Sequence, residues 1–240
     1  MENIQLIKSN TRGHANHGWL DAHHSFSFAG YYDPSRMHFG ALRVLNDDRI
    51  AGGAGFGMHP HDNMEIITIP FSGALEHKDS MGNHGVIRAG DIQVMSAGTG
   101  IFHSEFNHHS TESCTLFQIW LFPDTKNVAP RYDQQTIPAS SRKNTFQCIV
   151  SPKGETTEGM WIHQRAWFHL IDLDEGNTAI YDLKQSGNGV YVMQIEGESQ
   201  IGSVRLLRRD AVEITGMSSF SIQAESKVSS LLVMEVPMTN

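Results

Sequence analysis

Strand-forming runs recur along almost the whole chain, and little else competes with them. ALRVL (41–45), EIITIPF (65–71), IQVM (92–95), TLFQIWLF (115–122), VYVMQIEG (190–197), VRLL (204–207), FSIQA (220–224) and SLLVMEV (230–236) are rich in β-branched and aromatic residues. Such side chains pack well on a pleated, half-buried surface. Between them stand turn formers: NDD (46–48), SGA (72–74), SMGNHG (80–85), RAGD (88–91), SAGTG (96–100) and SGNG (186–189). Glycine and asparagine there supply the backbone conformations that reverse a strand. Segments with helical period are scarce, so the pattern predicts an all-β protein of sandwich or barrel type.

The polar stretch DTKNVAPRYDQQTIPASSRKN (124–144) carries two prolines and no sustained apolar pattern. It reads as a connection, giving a first domain over 1–135, a linker over 136–144 and a second domain over 145–240. SGALEHKDSMGNHGVIRAGDIQVMSAG (72–98) and IEGESQIGSVRLLRRDAVEITG (195–216) share a layout. Each runs from a glycine-marked strand end through a hairpin to Gly90-Asp91 or Arg209-Asp210 and a further strand. This weak echo fits a duplicated unit whose second copy lacks histidines.

Composition narrows the function. A net charge of −8 argues against a phosphate-neutralising nucleic-acid binder and against adhesion to an anionic membrane. Two cysteines, Cys114 and Cys148, make neither a disulfide framework nor a zinc knuckle, and Cys114 reads as a small core residue. With no signal core and no membrane-length apolar run, the expectation is a cytoplasmic protein with reduced thiols.

Histidine is the anomaly: 12 of 14 lie between His14 and His109. In GMHPHDNMEI (57–66), His59 and His61 stand two apart, and alternate strand residues share a face. Pro60 keeps this strand at an edge, a bulge or a strand start. In SAGTGIFHSEFN (96–107), His103 and Glu105 repeat the spacing 42 residues beyond His61, far enough for hairpins to bring the pairs together. The expected ligands are therefore His59, His61, His103 and Glu105. This donor set suits divalent iron, nickel, cobalt, copper, manganese or zinc, with coordination positions left open for catalysis.

Glu65 shares parity with the histidine pair and stands as an alternative ligand, or as a partner orienting an imidazole. Glu105 or Glu65 is the expected general base. Phe56, Met58, Met95, Phe102, Phe106, Phe117 and Trp120 are candidates for an aromatic pocket, with at least half of them expected in plain core. The four histidines of HANHGWLDAHHSFSF (14–28) lack a paired-strand setting and are expected to pack or bond loops.

At these residues the sequence resembles the cupins. Gly53, His59, His61 and Glu65 fit the first cupin motif, with Gly73 one residue late, and His103 with Asn107 fits the end of the second, where Ser96 replaces the usual proline. HANHGWLD, FSFAGYYDP, FGALRVLNDD, GFGMHPHDNMEI, EHKDSMGN and SAGTGIFHSEFN together resemble the pirin family, its bacterial quercetinase-type members above all. The likeness covers nearly all of residues 10–135 and is diffuse beyond. It implies a bicupin, two antiparallel β-barrels face to face, with metal in the first only and the ligands already named. It also implies a quercetin 2,3-dioxygenase-like activity on a small aromatic polyphenol with dioxygen. Other pirins are iron-dependent partners of transcription factors. That puts Fe(II) first among the metals and makes a metal-loaded partner-docking protein the alternative. A metal-free sugar-binding or isomerase-like cupin is a third reading.

Overall fold

A computed structural model describes residues 3–155 and 158–238. Four antiparallel-dominated sheets form in them, and helix is confined to two short 3-10 turns, Ser9–Thr11 and Ala139–Arg142. No helix among the described residues is long and apolar enough to cross a membrane.

The first half pairs a seven-stranded sheet with a four-stranded one. The larger runs, edge to edge, Arg131–Thr136, Asp91–Ser96, Glu65–Ser72, Cys114–Leu121, Leu42–Ile50, Leu20–His24 and Gly13–Asn16. The smaller runs Gly55–His61, Ile101–Asn107, Ala74–Asp79 and His84–Arg88. The second half repeats this plan. Its larger sheet runs Asn3–Ile7, Ala211–Thr215, Asn188–Glu196, Val228–Pro237, Trp167–Asp174, Gln147–Pro152 and Met160–Ile162. Its smaller sheet runs Thr178–Asp182, Ser219–Ala224, Ser199–Ile201 and Val204–Leu206. The fold is thus a double β-barrel, as the strand pattern and the cupin likeness predict.

Strand alternation explains the layering. On Cys114–Leu121, Phe117, Ile119 and Leu121 join Phe168, Leu170 and Met234 of the second half in one buried core between the two large sheets. The alternate residues Leu116, Gln118 and Trp120 turn into the first barrel. The second barrel is packed by Tyr181, Phe220, Ile222, Val190 and Leu231. The first instead encloses a cavity of about 440 Å³. Apolar burial stabilises both.

The internal echo corresponds to real equivalence. Gly73 and Gly197 both sit at positive φ, 70° and 77°, at the start of matching hairpins. Gly90 (φ 94°) and Arg209 (φ 67°) occupy the same turn position. The aspartate that follows accepts a backbone N–H three residues back, Arg88 to Asp91 at 2.9 Å and Leu207 to Asp210 at 3.2 Å. Arg209 adopts this conformation with its guanidinium over the rings of Phe71 and Phe117 and beside Asp47.

Within the polar stretch 124–144, Arg131–Thr136 forms a strand on Asp91–Ser96, at the end of the expected first domain. At the other end, Asn3–Ile7 pairs with Ala211–Thr215, so the first residues complete the second half. Ile4 and Leu6 pack against that half's core, which is why the short strand crosses over.

Candidate metal centre and its cavity

His59 and His61 end one strand of the small sheet, and His103 lies on its neighbour with His59 directly opposite. Alternation turns all three imidazoles inward, while Met58, Phe102 and Phe106 turn out and stay exposed. The ring centroids are 4.4 to 4.9 Å apart. One ring nitrogen from each lies within 4.8 Å of the other two.

Tautomers are fixed by neighbours. His59 Nδ1–H donates to the Gly57 carbonyl at 2.8 Å, which leaves Nε2 a free lone pair. Behind His103 stands His77, fully buried, with its Nδ1 3.5 Å from His103 Nδ1. His77 Nε2–H faces Asp79 Oδ2 at 3.3 Å. Asp79 is itself held by the N–H groups of Met81 and Asn83 and by the Asn83 amide. With Asp79 fixing the proton on His77 Nε2, His77 Nδ1 accepts from His103 and His103 Nε2 is free. Such carboxylate–histidine chains orient metal-binding imidazoles. The sequence reading missed this chain. Its signal was the EHKDSMGN segment, where His77 and Asp79 share a strand face.

Burial keeps His61 and His103 neutral. It lowers the His103 pKa to about 2, with the nearby imidazoles adding to the effect, and that of His61 to about 4. His61 Nε2 and His103 Nε2 are buried without any hydrogen-bond partner. Two orphaned, neutral nitrogens facing a third are what a cation site requires, since buried polar atoms otherwise find partners. The residues therefore fit a divalent metal.

Glu105 is placed differently from its three expected companions. A register shift between His103 and Glu105 brings it opposite Phe56 on one side and His77 on the other. Its carboxylate groups with His103 and His77, and Gln118 Nε2 donates to both of its oxygens at 3.1 and 3.2 Å. Thr68 Oγ1 in turn donates to Gln118 Oε1 at 3.2 Å. Burial pushes the Glu105 pKa up to about 7.

Glu65 does not enter the cavity. Between it and His61 the chain turns at Asn63 (φ 45°), so shared parity along the sequence does not become a shared face. Its carboxylate accepts from Ser96 Oγ at 2.7 Å and from the His163 backbone N–H. The expectation of Glu65 as general base therefore meets a residue committed to the contact between the halves.

Of the pocket candidates, Phe56 and Trp120 line the cavity, with Trp19, Leu20, Leu75 and Leu116. Phe117 belongs to the central core, and Met95 is buried with Ile66, Ala97 and Ile101. From the N-terminal histidines only His24 reaches the wall, donating from Nδ1 to Asn46 Oδ1 at 2.9 Å. His14 and His23 stack on the outside with Asp21 beside them. Cys114 is fully buried, as a core residue should be.

Fold and site together define a cupin-type double barrel with metal-competent imidazoles, among the described residues, in the first barrel alone. Residues 6–121 match the Pirin family and residues 148–236 match the quercetinase C-terminal cupin domain. The quercetin 2,3-dioxygenase of Escherichia coli strain K12 is 42% identical over 234 residues, covering 98% of this chain and 99% of that one. A pirin-like protein of Caulobacter vibrioides is 41% identical over 221 residues, covering 92% and 94%. The crystal structure of the bacterial pirin YhhW from Escherichia coli in complex with nickel(II) superposes with a TM-score of 0.92 at 41% identity, covering 98% and 99%. The chain belongs to the pirin family.

Proposed function

We propose that this protein is a metal-dependent dioxygenase that opens flavonols such as quercetin with O2 and releases carbon monoxide. The observation that carries this is a cluster of three imidazoles on the wall of an apolar cavity, with a buried carboxylate close behind. The name of the Escherichia coli relative and the nickel bound by YhhW support it.

His59, His61 and His103 would hold the cation, with Glu105 as the fourth donor or as the proton acceptor. When bound, a divalent ion would supply a charge that acidifies a flavonol hydroxyl and a centre for chemistry with O2. Iron(II) heads the candidates, with nickel, cobalt, copper, manganese and zinc suited to the same donors. As the proton acceptor, Glu105 would take the hydroxyl proton. Its raised pKa matches a base working near neutrality, and Gln118 holds its oxygens in place. Trp19, Phe56, Leu116 and Trp120 provide flat apolar walls that hold an aromatic ring and exclude water.

The test is reconstitution with each metal, followed by quercetin absorbance and oxygen uptake. Wild type with its preferred metal should bleach quercetin with one O2 consumed per turnover, and His61→Ala should lose both metal and activity. Quercetin left unchanged by every metal form, or cleaved equally fast by His61→Ala, overturns the reading.

One observation favours a second reading, partner docking. Met58, Phe102 and Phe106 are 60%, 53% and 41% exposed on the back of the two metal-bearing strands. A metal-dependent docking protein would use such a face, and Phe102→Ser would then weaken partner capture while leaving metal content unchanged.

A further inference from the structure

Asp48 is a carboxyl without a protein partner, set inside the cavity. It lies on Leu42–Ile50, whose alternate residues Asn46, Asp48 and Ile50 all line the cavity wall. Its cross-strand neighbours are Ala22 on one side and Leu116 on the other, neither with a side-chain donor. Asp48 is 5% exposed, and Oδ1 has no hydrogen-bond partner among the described residues. Of the polar side chains near it, Asn46 bonds His24 and Gln118 bonds Glu105 and Thr68, while Trp120 Nε1 is, like Asp48 Oδ1, buried without a partner among the described residues.

A buried carboxyl among aliphatic groups is costly unless something bonds it. The first barrel leaves room beside it. Trp120 marks the opposite end of the same wall, its ring 4.8 Å from that of His61. Trp120 lies four residues beyond Leu116, the partner of Asp48, a separation of roughly 13 Å at the usual strand rise. A flat, two- or three-ring polyphenol is about that long.

We propose that Asp48 forms a hydroxyl-recognising subsite, bonding a phenolic hydroxyl of the substrate remote from the hydroxyl presented to the imidazole cluster. This rests on the polyphenol reading above and adds the specificity determinant. A cavity built only of apolar walls would hold a bare aromatic ring equally well. An orphaned carboxyl instead discriminates strongly against a ring that cannot satisfy it.

The experiment uses zinc-loaded protein without oxygen, so that binding is read apart from turnover. Tryptophan fluorescence reports affinity for quercetin, for the flavonol lacking the pendant-ring hydroxyls and for the flavonol lacking the fused-ring hydroxyls. Wild type should lose about tenfold or more in affinity for one of the two deoxygenated ligands. Asp48→Val, close in volume and apolar, should erase that preference by weakening quercetin alone, and Asp48→Asn should restore part of it. Thermal melting checks that both variants fold.

Equal affinity of wild type for the three ligands, or an undiminished preference in Asp48→Val, overturns the subsite. Preferential binding without cleavage by any metal form overturns the dioxygenase reading and upholds the subsite. No binding of any flavonol overturns both.

Discussion

Single side chains in this molecule are set by which face of a strand they occupy. Burial raises the Asp48 pKa from 3.8 to about 8, with the charges of Asp47 and Glu105 pushing the same way. The sign follows from proton counting. Between those values the folded state binds the extra proton, so the stability of the protonated form is complete below about pH 4 and lost as pH rises through about 8. Asp48→Val removes that loss. Its melting temperature should exceed that of wild type increasingly from pH 5 to pH 8, with a gain of about 1–3 kcal/mol at the upper end. A gain that is flat with pH would contradict the assignment. His169 works in the opposite sense. Burial lowers its pKa to about 3, so stability is present above the ordinary value of 6.5 and falls as pH drops towards 3. His169→Gln should unfold less readily between pH 6 and pH 4 than wild type, relative to each protein's stability at pH 8.

Elements carry the site because two strands meet with a defect between them. Gly55 approaches the second strand so closely that an added Cβ would lie 2.3 Å from the Glu105 carbonyl oxygen and 2.5 Å from Phe106 Cα. Gly55→Ala should part the strands beside the register shift and weaken metal binding at least tenfold, the order seen when supports of a ligand shell are lost. Titration of the apoprotein with nickel, beside circular dichroism to confirm the fold, measures it. At this scale the legible and the hidden separate cleanly. His59, His61 and His103 were readable because period-two spacing survives within a strand. Glu65 was misleading because the turn at Asn63 changes which face follows, and no spacing rule crosses a turn. The shift at Glu105 was equally hidden, since a bulge is a relation between two strands. His77 and Asp79 share the alternation that exposed the other histidines. Their role, however, depends on pairing with the His103 strand, which lies more than twenty residues further on.

For the whole molecule, the all-β class followed from local chemistry, while the number of strands, 22 among the described residues against eight runs read from the sequence, and the assignment of chain ends to barrels did not. Arg131–Thr136 is polar on both faces because it lies at a sheet edge, so it read as a connection. The two large sheets share one core, and Phe168 is wholly buried in it. Phe168→Ala should cost about 3–5 kcal/mol. Calorimetry should show one transition at a lower temperature, because both halves lose the same interface. Two separated transitions, with the first half unmoved, would show that the halves melt independently.

The pairing of Asn3–Ile7 with Ala211–Thr215 has a consequence for how the molecule is made. Translation runs from N- to C-terminus, so Asn3–Ile7 leaves the ribosome some two hundred residues before its docking site exists. The metal-competent barrel can close on the nascent chain while this leader trails unattached. The other barrel closes only when Ala211–Thr215 is released and captures it, so a segment synthesised ahead of the first barrel finds its place after that barrel's own strands have been made.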